Sequence, residues 1–177
     1  MKEALLVIDV QNDVVKHAFN REKVILNIHS LVQKARLHQI PVIWIQHEDD
    51  ELKHGSYGWQ IVEALKPLTE EKRIYKTWSN AFIETPLKAV LAQQQIDTVV
   101  LVGAQSEFCL RMSKHGALEQ DFNVIWVEDA HTTEDADDEG GKFSGESIVA
   151  WENRMAHSTA YQRAQCRCLL SKDLWST

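Results

Sequence analysis

The stretch "LVGAQSEFCLRMSKHGA", residues 101–117, decides the fold. An apolar run ends at Gly103 and Ala104, and a helix starts at about Ser106 and continues to 120. A strand that turns directly into a helix is the unit of a parallel α/β sheet. Cys109 falls in the first turn of that helix, where unpaired N–H groups and the helix dipole favour an anion. A thiol in such a place is expected to have a lowered pKa and to be nucleophilic. The plainer reading is a small buried hydrophobe, the usual fate of a free cysteine.

The same alternation extends in both directions. Strands are expected at "EALLVID" (3–9), "PVIWIQH" (41–47), "RIYK" (73–76), "DTVVLVG" (97–103), "FNVIWVED" (122–129) and near 164–170. Helices are expected over 23–39, after Thr85 with Pro86 at the first position, over 106–120, and near 145–157. The fold class is therefore α/β: one domain, residues 1–177, in a three-layer doubly wound sandwich around a mostly parallel six-stranded sheet. With strand order 3-2-1-4-5-6, ligands bind between strands one and four, beyond their carboxyl ends. Asp9 ends strand one and the Gly103–Cys109 turn follows strand four, so a carboxylate and a thiol flank that crevice. Lys76 ends strand three on the same edge of the sheet.

Composition narrows the function. The chain has 177 residues, 44% hydrophobic and 25% charged, with a net charge of −7, which disfavours nucleic acid and anionic membrane as partners. No apolar run approaches a membrane span, and the N-terminal apolar segment is too short for a signal peptide, so the expected location is the cytoplasm. Three cysteines without an export signal read as free thiols, and Cys166 and Cys168, two apart on the last strand, read as core residues. Asp135, Asp137, Glu139, Gly140 and Glu146 match EF-hand positions, but position 5 is Glu, position 8 is Lys142, and no helix precedes them. A solvated acidic loop, long enough to serve as a lid, is the better reading.

Four segments together resemble the isochorismatase-like cysteine hydrolases over almost the whole chain: "LLVIDVQND", "YKTWSNAFIETPL", "LVGAQSEFCLRMS" and "VEDAHTTED". The resemblance implies a catalytic triad of Asp9, Lys76 and Cys109. Asp9 would act as general base, Cys109 as nucleophile forming a thioester, and Lys76 would hold both by charge. It also implies an oxyanion hole from the N–H groups of Gln105 and Cys109, and a cis peptide between Ala104 and Gln105 that turns the Gln105 N–H inward. Gln11, His47, Trp59, Trp78, Asn80 and Phe108 are the expected substrate contacts, with Tyr57 beside them. Isochorismate-cleaving members lack the cysteine, so Cys109 argues against vinyl-ether cleavage. The D-x-H metal motif of nicotinamidases is missing from "WIQHEDDELKHGSYGW", so neither a metal nor another cofactor is expected. The implied activity is hydrolysis of a small amide, lactam or ureido compound by a homo-oligomer. The rival readings are a non-catalytic α/β protein and a redox sensor built on Cys109.

Overall fold

A computed structural model describes residues 1–176 of the chain. Six parallel strands form one sheet: β1 (Glu3–Ile8), β2 (Val42–His47), β3 (Lys72–Lys76), β4 (Thr98–Ala104), β5 (Asn123–Thr132) and β8 (Cys166–Leu169). Their order is β3-β2-β1-β4-β5-β8, the doubly wound arrangement with its reversal between β1 and β4. Two further strands, β6 (Ala136–Asp138) and β7 (Gly141–Phe143), make a separate antiparallel hairpin.

The central strands are apolar on both faces because both faces are covered. On one side Leu5, Val7, Trp44, Val100 and Ile125 pack with the buried stripe of α1 (Arg21–Leu37), namely Val24, Ile28, Leu31, Val32 and Ala35. On the other, Leu6, Ile8, Ile43, Ile45, Leu101 and Trp126 meet the apolar residues of three helices. These are α2 (Leu87–Gln93), α3 (Arg111–Glu119) and α4 (Gly145–His157), contributing Leu87, Leu91, Ala117, Leu118 and Ala156. The result is three layers.

Three local expectations are corrected. Residues 106–120 are not one regular helix. Ser106–Leu110 forms a π-helical turn, and α3 begins only at Arg111. The acidic loop at 135–146 folds back on itself, with Asp138 opposite Gly141 and Gly141 at φ 124°. Pro86 stands one position before α2, whose Leu87 N–H bonds the Thr85 hydroxyl at 3.3 Å.

The β1–β4 contact sets up the site. Ile8 is the register partner of Gly103. Gly103 has φ 126°, and a Cβ there would lie 2.0 Å from the Ile8 carbonyl oxygen. Only glycine lets the two strands close at this point.

Candidate active site

Three strands deliver three side chains to one buried cluster. Asp9 follows β1 directly and takes a left-handed conformation (φ 51°), which Asp tolerates better than most residues. Lys76 is the last residue of β3, and Cys109 lies in the π-helical turn after β4. Lys76 Nζ is 2.8 Å from Asp9 Oδ2 and 3.1 Å from Cys109 Sγ. Asp9 and Lys76 are almost wholly enclosed, at 1% and 2% exposed. Asp9 Oδ1 is buried without a hydrogen-bond partner, which leaves an acceptor free for the thiol proton.

The electrostatics reverse one expectation. The start of a helix should lower the Cys109 pKa, yet its thiol is pushed up to about 12. Burial is the main cause and the Asp9 carboxylate the next, with Lys76 pulling the other way. For Lys76, burial favours the neutral amine, but the charges of Asp9 and Cys109 outweigh it and hold the pKa above that of an ordinary lysine. Beside Asp9, the cluster therefore holds an ammonium and a protonated thiol.

His47 joins them. It is the register partner of Lys76 on the neighbouring strand, and its Nδ1 lies 3.2 Å from Lys76 Nζ. One ligand atom each from Asp9, His47 and Cys109 fall within 4.8 Å of one another, the spacing of a metal site. Nζ of Lys76 lies within 3.2 Å of an atom of each, so the protein's own cation already sits against all three.

The other expected substrate contacts divide. Gln11 is corrected: it is fully buried, with Nε2 donating to the carbonyls of His47 and Trp59 and Oε1 accepting from the His47 N–H. It clamps the backbone around His47 and has no donor left for a ligand. Asn80 is engaged locally: its Oδ1 accepts from the Phe82 N–H and its amide lies against Gly116 of α3. Trp59 stacks on His54 and Tyr75, with ring centroids 4.1 and 5.5 Å away. Tyr75 and Lys76 point to opposite faces of β3, so Trp59 packs on the face away from the Lys76 side chain. Trp78 is exposed and spends its N–H on Glu84 at 3.0 Å.

Gln105 precedes the π-helical turn that carries Cys109. The peptide joining it to Ala104 is cis, and its carbonyl accepts from the N–H groups of Phe108 and Leu110. Gln105 and Phe108 also border a cavity of about 750 Å³ whose lining includes Phe143, Ile148 and Trp151. None of Asp9, Lys76 or Cys109 lines it, so this hollow lies beside their cluster and not over it.

Sequence reading missed the braces of this turn. Ser106 Oγ and His131 Nδ1 are 2.7 Å apart, and His131 Nε2 is 2.7 Å from Asn153 Oδ1. Arg111 pairs with the fully buried carboxylate of Glu152. Such links tie residues 22 to 41 apart and leave no local signal.

The comparisons agree with this geometry. Residues 3–149 match the model of the isochorismatase domain. An uncharacterized isochorismatase family protein of Bacillus subtilis is 32% identical over 142 residues, covering 75% of this chain and 79% of that protein. A streptothricin hydrolase of Streptomyces noursei is 27% identical over 140 residues, 75% of this chain and 55% of that protein. Among solved structures, a cysteine hydrolase from Pseudomonas syringae shares the fold with a TM-score of 0.88 at 20% identity, covering 98% of this chain and 91% of that one. A sequence match spanning both sides of the crevice, over a sheet of this order, means that the chain belongs to the isochorismatase family.

Proposed function

We propose that this protein is a hydrolase that cleaves a small carbon–nitrogen substrate, an amide, lactam or ureido compound, through a thioester on Cys109. The observation that carries the reading is the buried contact of one ammonium with both a carboxylate and a thiol. With the thiol pushed up to about 12, attack at neutral pH needs a base within reach, and Asp9 is that base. Asp9 takes the proton as Cys109 Sγ bonds to the carbonyl carbon. The N–H groups of Gln105 and Cys109 receive the oxyanion. The tetrahedral intermediate collapses, the carbon–nitrogen bond breaks, and the amine leaves with the proton held on Asp9. Water then attacks the thioester and Asp9 accepts its proton; the carbon–sulfur bond breaks, the carboxylic acid departs, and Asp9 returns the proton to Cys109 Sγ.

The hydrolase named among the relatives supports a hydrolytic reaction, and the contact of thiol, carboxylate and ammonium supports a thiol-dependent one. The test is acyl-enzyme trapping. Wild-type protein is mixed with a panel of small amides, lactams and ureido compounds, quenched in acid and analysed by peptide mass spectrometry. A productive substrate leaves its acyl mass on Cys109, and Cys109→Ala loses turnover by at least ~1000-fold. Retained turnover in that variant overturns the mechanism.

A further inference from the structure

The protonated Lys76 head group has three N–H bonds and no acceptor. It meets three acceptors: Asp9 Oδ2 at 2.8 Å, Cys109 Sγ at 3.1 Å and His47 Nδ1 at 3.2 Å. Two of these are the proposed reacting groups. The third has no part in the chemistry as written, yet it uses the remaining proton and stops rotation about the Cε–Nζ bond.

That contact dictates the state of His47. Nδ1 must accept, so the ring proton sits on Nε2, which lies 3.0 Å from Asp49 Oδ2. Asp49 is itself fixed, since its Oδ1 accepts from the N–H groups of Leu52 and Glu51 at 2.7 and 2.9 Å. These hydrogen bonds, Leu52 foremost, hold its carboxyl below the usual range, so it remains an acceptor at neutral pH. The charged or titratable groups around the ring are Asp49 on one side and Lys76, Asp9 and Cys109 on the other.

We propose that His47, held in one tautomer by Asp49, is a positioning residue that aims the Lys76 ammonium at Asp9 and Cys109 together. This rests on the triad reading above. Neither residue touches the reacting atoms. They act by keeping the cation between the base and the nucleophile, where it steadies negative charge on either one.

The experiment uses p-nitrophenyl acetate, whose acetyl group passes to Cys109 with release of nitrophenolate. His47→Asn keeps an acceptor, Oδ1, near the place of Nδ1, while His47→Leu has none. Asp49→Asn keeps the Oδ1 bonds to Leu52 and Glu51 but presents an N–H to the ring, forcing its proton onto Nδ1 against the ammonium. Acetylation rates are followed from pH 6 to 9. We expect His47→Asn within about threefold of wild type and the other two variants slowed at least tenfold, with KM little changed. Asp49→Asn, on the protein surface, keeps the test available should His47→Leu fail to fold. Equal rates in wild type and Asp49→Asn overturn the proposal. So does an equal fall in His47→Asn and His47→Leu, which would make the ring a packing element only. Wild-type protein without acetyl-Cys109 would instead sink the triad reading itself.

Discussion

His131 offers a prediction whose size follows from the structure. The ring is 1% exposed and stands between the Ser106 hydroxyl and the Asn153 amide oxygen. Trp126 Nε1, which only donates, lies 2.7 Å from the same Asn153 Oδ1, so that atom is an acceptor and His131 carries its proton on Nε2. Nδ1 then accepts from Ser106, the first residue of the π-helical turn that carries Cys109. Burial pushes the His131 pKa down to about 4 from its ordinary 6.5, only partly opposed by the bond to Asn153. The sign follows directly. The unfolded ring binds a proton below 6.5 and the folded ring does not, so stability is full above that pH and falls as the medium is acidified toward 4. Integrated from pH 7 to pH 5, the loss from this one group is about 2 kcal/mol, and about 3 kcal/mol over the whole range. Glu107 works in the opposite sense, because burial raises its carboxyl pKa, so wild type must be compared with His131→Gln. Urea unfolding at pH 7 and pH 5 should show the wild type losing about 2 kcal/mol more than the variant. The ring resonance followed by NMR gives a second readout that needs no variant: in folded protein it should not titrate between pH 7 and pH 5. A midpoint near 6.5, or equal losses in the two proteins, would refute the reasoning.

Two further outcomes concern the frame around the site. Gly103→Ala places a methyl 2.0 Å from the Ile8 carbonyl oxygen at φ 126°, whereas Gly55→Ala meets nothing within 4 Å at φ 82°. Urea titration should show the first losing more than ~3 kcal/mol or failing to fold, and the second losing about 1 kcal/mol. Similar stabilities would mean that strand closure is not the constraint. Lys114 is 1% exposed with only a Thr159 hydroxyl at 3.3 Å and the Trp126 ring at 5.1 Å, and burial lowers its pKa. Lys114→Met should therefore stabilise the protein by about 1 kcal/mol, the ammonium's desolvation cost exceeding the lost ring contact. A lower Tm in that variant would contradict this.

The sheet was legible because its inner strands carry the signal of double burial. Leu5 to Ile8, Ile43 to Ile45 and Val99 to Val102 are all at most 1% exposed, and such runs have one place to go in an α/β fold. Two edges of the site were legible for the same reason, since Asp9 and Gly103 end two of those runs, whereas Lys76 ends the mostly exposed β3. What escaped reading depends on register and burial. The hairpin is encoded by Gly140 and Gly141 inside an acidic run whose charges read as solvated loop. The π-helical turn has the composition of an ordinary helix start. The thiol pKa went the wrong way because the helix-terminus argument counts only local dipoles. Enclosure and a carboxylate a hundred residues upstream decide the sign. Gln11 was an expected substrate contact, but its amide is spent on two carbonyls across the strand ends.

A raised thiol pKa suits this chemistry. Asp9⁻, Lys76⁺ and Cys109–SH carry no net charge between them, and neither do Asp9–H, Lys76⁺ and Cys109–S⁻. Proton transfer thus moves one negative charge over a short distance inside the protein and changes no total. The desolvation cost of a buried charge, which would make an isolated thiolate prohibitive, is nearly the same on both sides of the step. What differs is the distance to the cation, and Lys76 Nζ lies 2.8 Å from one end and 3.1 Å from the other. The ammonium serves both charge states without moving. On the proposed mechanism the sulfur stays protonated, and so less open to oxidation, until a carbonyl carbon arrives to take its electrons. On this account the buried carboxylate acts as the store of negative charge that the nucleophile draws on during attack.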